Sequence, residues 1–356
     1  MNSMYPKADI MIDCCKMKTL NTGLFHFCLN LVNTLYQRDQ KDRERLSVFA
    51  QRRVQKFLPP DIAKFSKHFW HSCYLRLPDN CKVWHSTFQL DRYMPASDKQ
   101  KKVLTIHDLN FLYDRNQKGL KTGLWRLQRN IDLADRLVAI SEFAKKDVLT
   151  HTDTHGKEVD VIYNGCNIYN GAIQTPPDFS PKKPFLLALG TVLAKKNFHI
   201  LPCLLQNNDY TLLIVGNLSS YAKVIMDEAA YWGVADRVHI IGAVSEAVKH
   251  WYLQNCTAFL FPSIAEGFGM PVVEAMYYGK PVFLSSHTAL PEIGGNVAVY
   301  FNNDFDRKEM QQEFERGMKM YQTTITAEMI KNQAGKFSWN RAAGQYWEIY
   351  QALINT

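Results

Sequence analysis

The chain has 356 residues, 46% of them in the hydrophobic set and 21% charged, with 18 Gly and 14 Pro. That is globular composition and excludes collagen-like, coiled-coil and low-complexity chains, and at this length two domains of about 150 to 200 residues are expected. The net charge of +8 is unevenly placed: residues 1–170 carry 27 Lys and Arg against 18 Asp and Glu, a net +9, and residues 171–356 a net −1. A basic half implies an anionic partner such as nucleic acid, a phospholipid surface or a phosphorylated substrate, with a plain solvated lysine-rich surface as the alternative. No apolar run approaches the roughly 18 residues of a spanning helix, and residues 1–9 lack a signal-peptide core, so neither a membrane span nor secretion is expected. Eight cysteines without a Cys-x-x-Cys spacing read as reduced thiols of a cytosolic protein, with Cys14, Cys15, Cys28, Cys203 and Cys256 in or beside apolar stretches.

In chain order, residues 9–13 read as a strand. A loop with Asn21-Thr22-Gly23 follows, and residues 24–36 then have helical apolar spacing. Strands are expected at 82–85, 103–107, 136–140 and 160–163, with Ser141 capping a helix over 143–149. Between 165 and 184, Asn170-Gly171 and Thr175-Pro-Pro-Asp178 form the densest cluster of breakers, where an interdomain linker is expected. Strands resume at 185–189, 211–215, 238–241, 258–261, 281–284 and 297–301, with helical patterns between them. Such alternation predicts parallel sheets covered on both faces, in two doubly wound α/β domains whose ligands sit beyond the carboxyl ends of the strands.

Two segments carry the chemistry. Directly after the strand 258–261 comes Pro262-Ser-Ile-Ala-Glu266-Gly267-Phe268-Gly269-Met270-Pro271, continuing to Glu274 and Ala275. The glycines permit close backbone approach and Pro271 suits a first helical turn, so amides and the helix dipole would face a phosphate. Glu266 in the loop and Glu274 about one turn inside the helix would accept hydrogen bonds from a hydroxyl-rich ligand. The second segment, Gly190-Thr191-Val-Leu-Ala-Lys195-Lys196-Asn197, follows the strand 185–189 and opens a helix, and its two ammonium groups would neutralise a diphosphate. Two decoys stand apart from these. Asp304-Phe-Asp306 reads as a polar loop, and His151 with His155 has the spacing of a metal pair without the rest of one.

Together these residues resemble the family 4 retaining glycosyltransferases of the two-domain GT-B fold. Glu266 and Glu274 have that family's Glu, seven residues, Glu spacing. Gly190 to Asn197, Thr105-Ile-His107-Asp108-Leu109, Ala139-Ile-Ser141-Glu-Phe-Ala-Lys145, Phe259-Leu-Phe-Pro262-Ser263 and Phe337-Ser-Trp339 look like further family segments. The resemblance implies two Rossmann-like domains with a cleft between them: 1–170, joined by a C-terminal crossover helix at 340–356, for the acceptor, and 171–339 for a nucleotide-sugar donor. It places Lys195 and Lys196 on the diphosphate, although Lys195 stands where the family commonly has Arg. Glu274 would meet the ribose, Glu266 with Gly267, Phe268, Gly269, Met270 and Pro271 the sugar end of the donor, and Gly190 and Thr191 the donor as well. Gly23 would let a loop amide approach the diphosphate and His107 would bond the sugar. Thr22, His26, Trp84, His85, Arg92 and Asn110 are acceptor candidates.

The implied reaction is transfer of a hexose to an acceptor hydroxyl with retained configuration, by front-face attack without a protein nucleophile or a metal. The His107-Asp108-Leu109 and Gly190-Thr191 variants most resemble mannosyltransferases using GDP-mannose, with a UDP-hexose second. The basic half is then expected to face an anionic membrane or a lipid-linked glycan acceptor, as in bacterial surface polysaccharide or lipopolysaccharide assembly at the inner face of the plasma membrane. A nicotinamide oxidoreductase would need a Gly-x-Gly-x-x-Gly after the first strand, where only Gly23 is found. A non-catalytic sugar- or nucleic-acid-binding protein is the other class. Residues 64–74 interleave basic and aromatic side chains, but nucleic acid is not the expected partner.

Overall fold

The computed structural model describes residues 8–20, 22–72, 75–112, 117–177 and 179–356. The chain divides into two compact units, one of residues 1–165 with 338–356, the other of residues 166–337. Their borders stand against the 170/171 and 339/340 that the linker and the family resemblance led to.

The first unit holds β1 (Ile10–Asp13), β2 (Leu46–Ala50), β3 (Ala63–Ser66), β4 (Val83–Ser86), β5 (Lys101–Ile106), β6 (Arg136–Ala139) and β7 (Val159–Val161). They form one parallel sheet in the order β3-β2-β1-β4-β5-β6-β7. The second holds β8 (Phe185–Leu189), β9 (Thr211–Val215), β10 (Val238–Ile241), β11 (Ala258–Phe261), β12 (Val282–Ser285) and β13 (Val299–Phe301), in the order β10-β9-β8-β11-β12-β13. Every residue of β8, β9, β11 and β12 is buried. These largely apolar runs therefore have no solvent face, as parallel strands covered on both sides require. Strand order reverses beside β1 and β8, the point at which doubly wound sheets bind ligands.

Several expectations are corrected. Strands β2 and β3 were not expected. Residues 64–66, read as part of a basic and aromatic stretch, belong to β3, an edge strand with a half-buried pattern; Cys73 and Tyr74 of that stretch lie outside the described residues, as do Asn21 and Asp178 of the expected loops and residues 1–7 of the leading segment. The connection after β8 is two 3-10 segments, Ala194–Lys196 and Phe198–Leu205, and no α-helix. Left-handed Asn197 separates them, and Pro202 removes a backbone donor from the second. Cys14 and Cys15 lie just past β1, and the seven described cysteines are buried free thiols.

The last helix, Trp339–Ile354, belongs to the first unit and is pinned there by buried polar groups. His85 on β4 meets the Tyr350 hydroxyl through Nδ1 at 2.7 Å and Thr105 Oγ1 through Nε2 at 2.8 Å. Thr105 in turn meets the Tyr346 hydroxyl at 2.9 Å. Each of these buried polar side chains is thus partnered, which burial demands. Gly165 passes so close that an added Cβ would lie 2.2 Å from the Trp339 backbone nitrogen.

Replacing Gly165 with Ala should overpack this crossing and cost about 1–3 kcal/mol, read as a lower urea midpoint; an unchanged midpoint would contradict the close approach. A second expectation concerns pH. Burial, helped by neighbouring His107, draws the His85 pKa down to about 3. An unfolded histidine takes up a proton near pH 6.5 that the folded one refuses, so stability is full above 6.5 and declines as pH falls toward 3. The slope from this residue is up to about 1.4 kcal/mol per pH unit. Urea unfolding at pH 7, 6 and 5 should show the decline, and His85→Gln should flatten it.

Candidate active site

In the second unit the loops after β8 and β11 lie side by side because those strands pair directly. The Lys195 carbonyl accepts from the Ile264 amide at 3.0 Å and from Ser263 Oγ at 3.2 Å. Lys196 forms an ion pair with Glu266 Oε1, and its ammonium lies 4.8 Å from the centre of the Phe261 ring. Ser263 Oγ donates to the same carboxylate oxygen at 2.6 Å. The two charged side chains are only 14% and 15% exposed, a depth at which an ion pair is tolerated when both partners are present and costly when one is missing. Oε2 of Glu266 has no protein hydrogen bond among the described residues and remains an open acceptor. Lys195 is exposed, with no carboxylate in ion-pair range among those residues. Gly216, at φ +153°, closes the β9 end of this loop pair; a Cβ there would lie 2.1 Å from the Gly190 carbonyl oxygen. Gly190 and Thr191 are half-buried beside it.

The turn after Glu266 buries Gly267, Phe268 and Gly269, and the Phe268 ring meets Phe337 edge-on at 5.5 Å. Gly269, at φ +102°, is the N-cap of the helix Met270–Tyr277 and offers it no side-chain cap; Pro271 sits in its first turn. Glu274 lies one turn inside that helix and is 4% exposed. Its carboxylate is bound by Asn167 Nδ2 at 3.1 Å and by Lys249 Nζ, 3.3 Å from Oε1 and 3.2 Å from Oε2. Lys249 also meets Glu246 at 2.7 Å. Burial pulls the Lys249 pKa down, but the charges of Glu274 and Glu246 outweigh it and hold the ammonium above its ordinary value. Asn167, Lys249 and Thr288, whose hydroxyl accepts from the Glu266 amide at 3.2 Å, were not singled out from sequence, and Ser263 entered only as the end of a family-like segment, without a role. Only the Glu246 and Lys249 pair, three apart in one helix, left a local signal.

In the first unit, His107 is the first residue beyond β5 and is 7% exposed. Its Nε2 lies 2.8 Å from the Thr87 carbonyl, which can only accept, so Nε2 carries the proton and Nδ1 is an acceptor. Burial brings its pKa to about 4, against the raising effect of that bond, so the ring is neutral at pH 7. Phe27 packs edge-on against it at 4.6 Å, and Gln89 receives its backbone N–H at 3.1 Å. Gly23 opens the helix Gly23–Tyr36, and among the described residues no atom beyond its chain neighbours and its own helix backbone lies within 4 Å of where its Cβ would stand.

Among the acceptor candidates, Trp84 and His85 are corrected. Both are 0% exposed, Trp84 in the apolar core and His85 in the tyrosine network, and offer no surface to an acceptor. Thr22 is the N-cap of the helix Gly23–Tyr36, accepting from the Phe25 amide at 3.3 Å. His26 is half-buried on that helix, Arg92 is exposed in the loop after β4, and Asn110 begins a 3-10 turn with its amide on Asp108 Oδ1 at 3.0 Å. Of the decoys, Asp306 caps the helix Arg307–Thr323, and His151 ends a helix while His155 lies beyond it with φ 52°.

Two family models match the chain in succession: Glycosyltransferase Family 4 over residues 36–169 and Glycosyl transferases group 1 over residues 172–333. The O-antigen chain mannosyltransferase RfbU of Salmonella typhimurium is 27% identical over 218 residues, 60% of this chain and 59% of that one. The serotype-specific mannosyltransferase WbdA of Escherichia coli is 27% identical over 282 residues, 72% of this chain and 34% of that one. The chain therefore spans less than two thirds of either relative's length. The crystal structure of Anabaena HepE in complex with UDP and glucose superposes with a TM-score of 0.74 at 18% identity, covering 96% of this chain and 99% of that one. With the first family model falling on its first unit, the second on its second, and the superposition on HepE along nearly its whole length, the chain belongs to the glycosyltransferases of the GT-B fold.

Proposed function

We propose that the protein is a retaining glycosyltransferase that moves a hexose, mannose from GDP-mannose, to a hydroxyl of a glycan or lipid-linked glycan in polysaccharide or lipopolysaccharide assembly. The observation that carries this reading is the Lys196–Glu266–Ser263 cluster beside exposed Lys195, at the carboxyl ends of adjacent parallel strands. It offers cations for a diphosphate next to an open carboxylate oxygen for a sugar hydroxyl. The names of RfbU and WbdA support mannose as the sugar. The UDP and glucose of HepE keep a UDP-hexose as the second reading.

In the proposed reaction the glycosyl C–O bond to the β-phosphate breaks while a bond to the acceptor oxygen forms on the same face. The departing phosphate oxygen takes the acceptor's proton. Negative charge developing on that phosphate is met by Lys195, Lys196 and the amides opening the helix Met270–Tyr277, fixed charges and dipoles of the kind that supply the largest catalytic term. Glu266, bound on Oε1 by Lys196 and Ser263, keeps Oε2 for the sugar and serves as an acceptor of hydrogen bonds, with no covalent intermediate. Glu274 would share its remaining lone pairs with the ribose while keeping Lys249 and Asn167. In the first unit, taken by itself, neutral His107 presents at Nδ1 an acceptor suited to a sugar hydroxyl. The cations of this scheme are protein side chains, so it requires no metal.

Among the described residues no helix is long and apolar enough to cross a membrane. The net +9 of residues 1–170 supports a peripheral position on an anionic cytoplasmic membrane surface, where a lipid-linked acceptor would be met.

Thermal-shift titration without added metal should show a selective response to GDP and GDP-mannose, on the order of 2.7 kcal/mol of stabilisation at a hundredfold excess over the dissociation constant. A selective UDP response would replace the donor, and silence toward both would remove the enzyme reading. In the assay with GDP-mannose, Lys196→Met should lower kcat by about 10²- to 10³-fold, while a chelator should leave the rate unchanged. A rate abolished by chelation and restored by a divalent cation would overturn the metal-free scheme.

A further inference from the structure

The first unit contains a basic cavity that the proposed reaction does not use. Its volume is about 470 Å³, and its lining includes Arg76, Arg92, Arg129 and Lys99, with Tyr93 beside them and Asp79 as the one carboxylate. None of the four cations has a carboxylate within ion-pair distance among the described residues. Nearby Lys101 and Lys102, by contrast, are paired with Asp135 and Asp98. Four positive charges gathered around one hollow repel each other, and the fold supplies almost nothing to offset them.

The lining is nevertheless built on a buried polar frame. Asn130, wholly buried, donates from Nδ2 to the Gln89 and Asp91 carbonyls at 3.0 Å each, and its Oδ1 receives Arg129 Nη1 at 3.3 Å. Asp91, 2% exposed, takes the Arg92 amide at 2.7 Å, the Tyr93 amide at 3.3 Å and the Ser86 hydroxyl at 2.9 Å. The backbone that presents Arg92 and Tyr93 is therefore fixed before any ligand arrives. Guanidinium groups match phosphoryl oxygens with paired donors, and a hollow of this volume falls within the range of small-ligand sites.

We propose that this cavity binds a phosphorylated ligand, a sugar phosphate or diphosphate group, at a site separate from the loops after β8 and β11. Arg76 and Arg92 supply the charge, and Arg129, anchored on Asn130, sets the orientation. Arg92, expected from sequence to meet an acceptor, has its place here. The segment that carries it also carries Gln89, which holds the His107 backbone, so a ligand in the cavity braces the segment beneath that histidine. The site stands without the glycosyltransferase reading, since it rests on the first unit alone.

The test is calorimetric titration of the full chain with inorganic pyrophosphate, in a Lys195→Ala, Lys196→Gln, Glu266→Gln background that removes the other phosphate-binding cations without leaving a buried charge unpaired. One binding site should remain and weaken as salt rises. Adding Arg76→Gln and Arg92→Gln should weaken it more than tenfold, while Arg52→Gln and Arg53→Gln, an equal loss of charge elsewhere, should not. Both Arg pairs are at the surface, and matching melting temperatures will show that each variant is folded. A second arm uses phosphatidylglycerol vesicles. Vesicle binding that depends on Arg76 and Arg92 and competes with pyrophosphate identifies a lipid headgroup as the source of the phosphoryl group, and pyrophosphate binding alone identifies a soluble one. No pyrophosphate binding in this background, or equal weakening by the two Arg pairs, overturns the proposal. Neither result bears on the GDP response of the unaltered protein, so failure here and failure of the transferase reading are distinguishable.

Discussion

The second unit is organised around a charge pair that cannot be left half made. Lys196 and Glu266 are 70 positions apart in sequence and come from loops after different strands, yet both side chains are largely withdrawn from water. Removing either partner would strand the other's charge at a cost far above that of an exposed pair. The pair therefore requires the two loops to stay in register, and the bonds from Ile264 and Ser263 to the Lys195 carbonyl enforce the same register through the backbone. Adjacency of β8 and β11 makes this possible, and Gly216 makes it tight. The chemistry offered at the surface, one exposed ammonium, one shared ammonium and one open carboxylate oxygen, is what this constraint leaves over.

The first unit solves the same problem of buried polarity without charge. His85 and His107 sit at the middle and the end of neighbouring strands, and burial keeps both neutral at pH 7. Their roles diverge because their partners differ. Both ring nitrogens of His85 are consumed by Tyr350 and Thr105, which turns it into a clasp for the last helix. His107 spends one nitrogen on the Thr87 carbonyl and keeps the other, with the tautomer fixed by that bond. The same residue type serves as structure in one place and as a candidate sugar ligand twenty-two positions later.

The long-range partners also explain what sequence reading missed. The strands 185–189, 211–215, 238–241 and 258–261 were legible to the residue because they are short, mostly apolar runs bounded by polar residues and turns, interrupted only by Thr211 and His239. Strand β3, with a half-buried pattern and Lys64 inside it, has no such contrast, and β2 follows directly on the charged segment 41–45. The segment after β8 has apolar spacing adequate for a helix, but Asn197 and Pro202 break the hydrogen-bond ladder. Glu266 and Glu274 were found by their spacing, whereas Asn167 and Lys249, which set the electrostatics of Glu274, come from elsewhere in the fold and share no motif with it.

Local physics was decided by the sequence alone: the alternation of strand and helix, the cap at Ser141, the glycine turn that opens the helix Met270–Tyr277, and the concentration of positive charge in the first half. These depend on neighbours within a few residues, so they can be read in order along the chain. Tertiary structure decided which polar groups would face water and which would be enclosed. It took Trp84 and His85 out of reach, gave Lys196 to Glu266 and Lys249 to Glu274, and left Arg76 and Arg92 around a hollow with no carboxylate in ion-pair range among the described residues. Burial and pairing depend on residues distant in sequence and adjacent only after packing, and for that reason no reading of spacing alone could assign them.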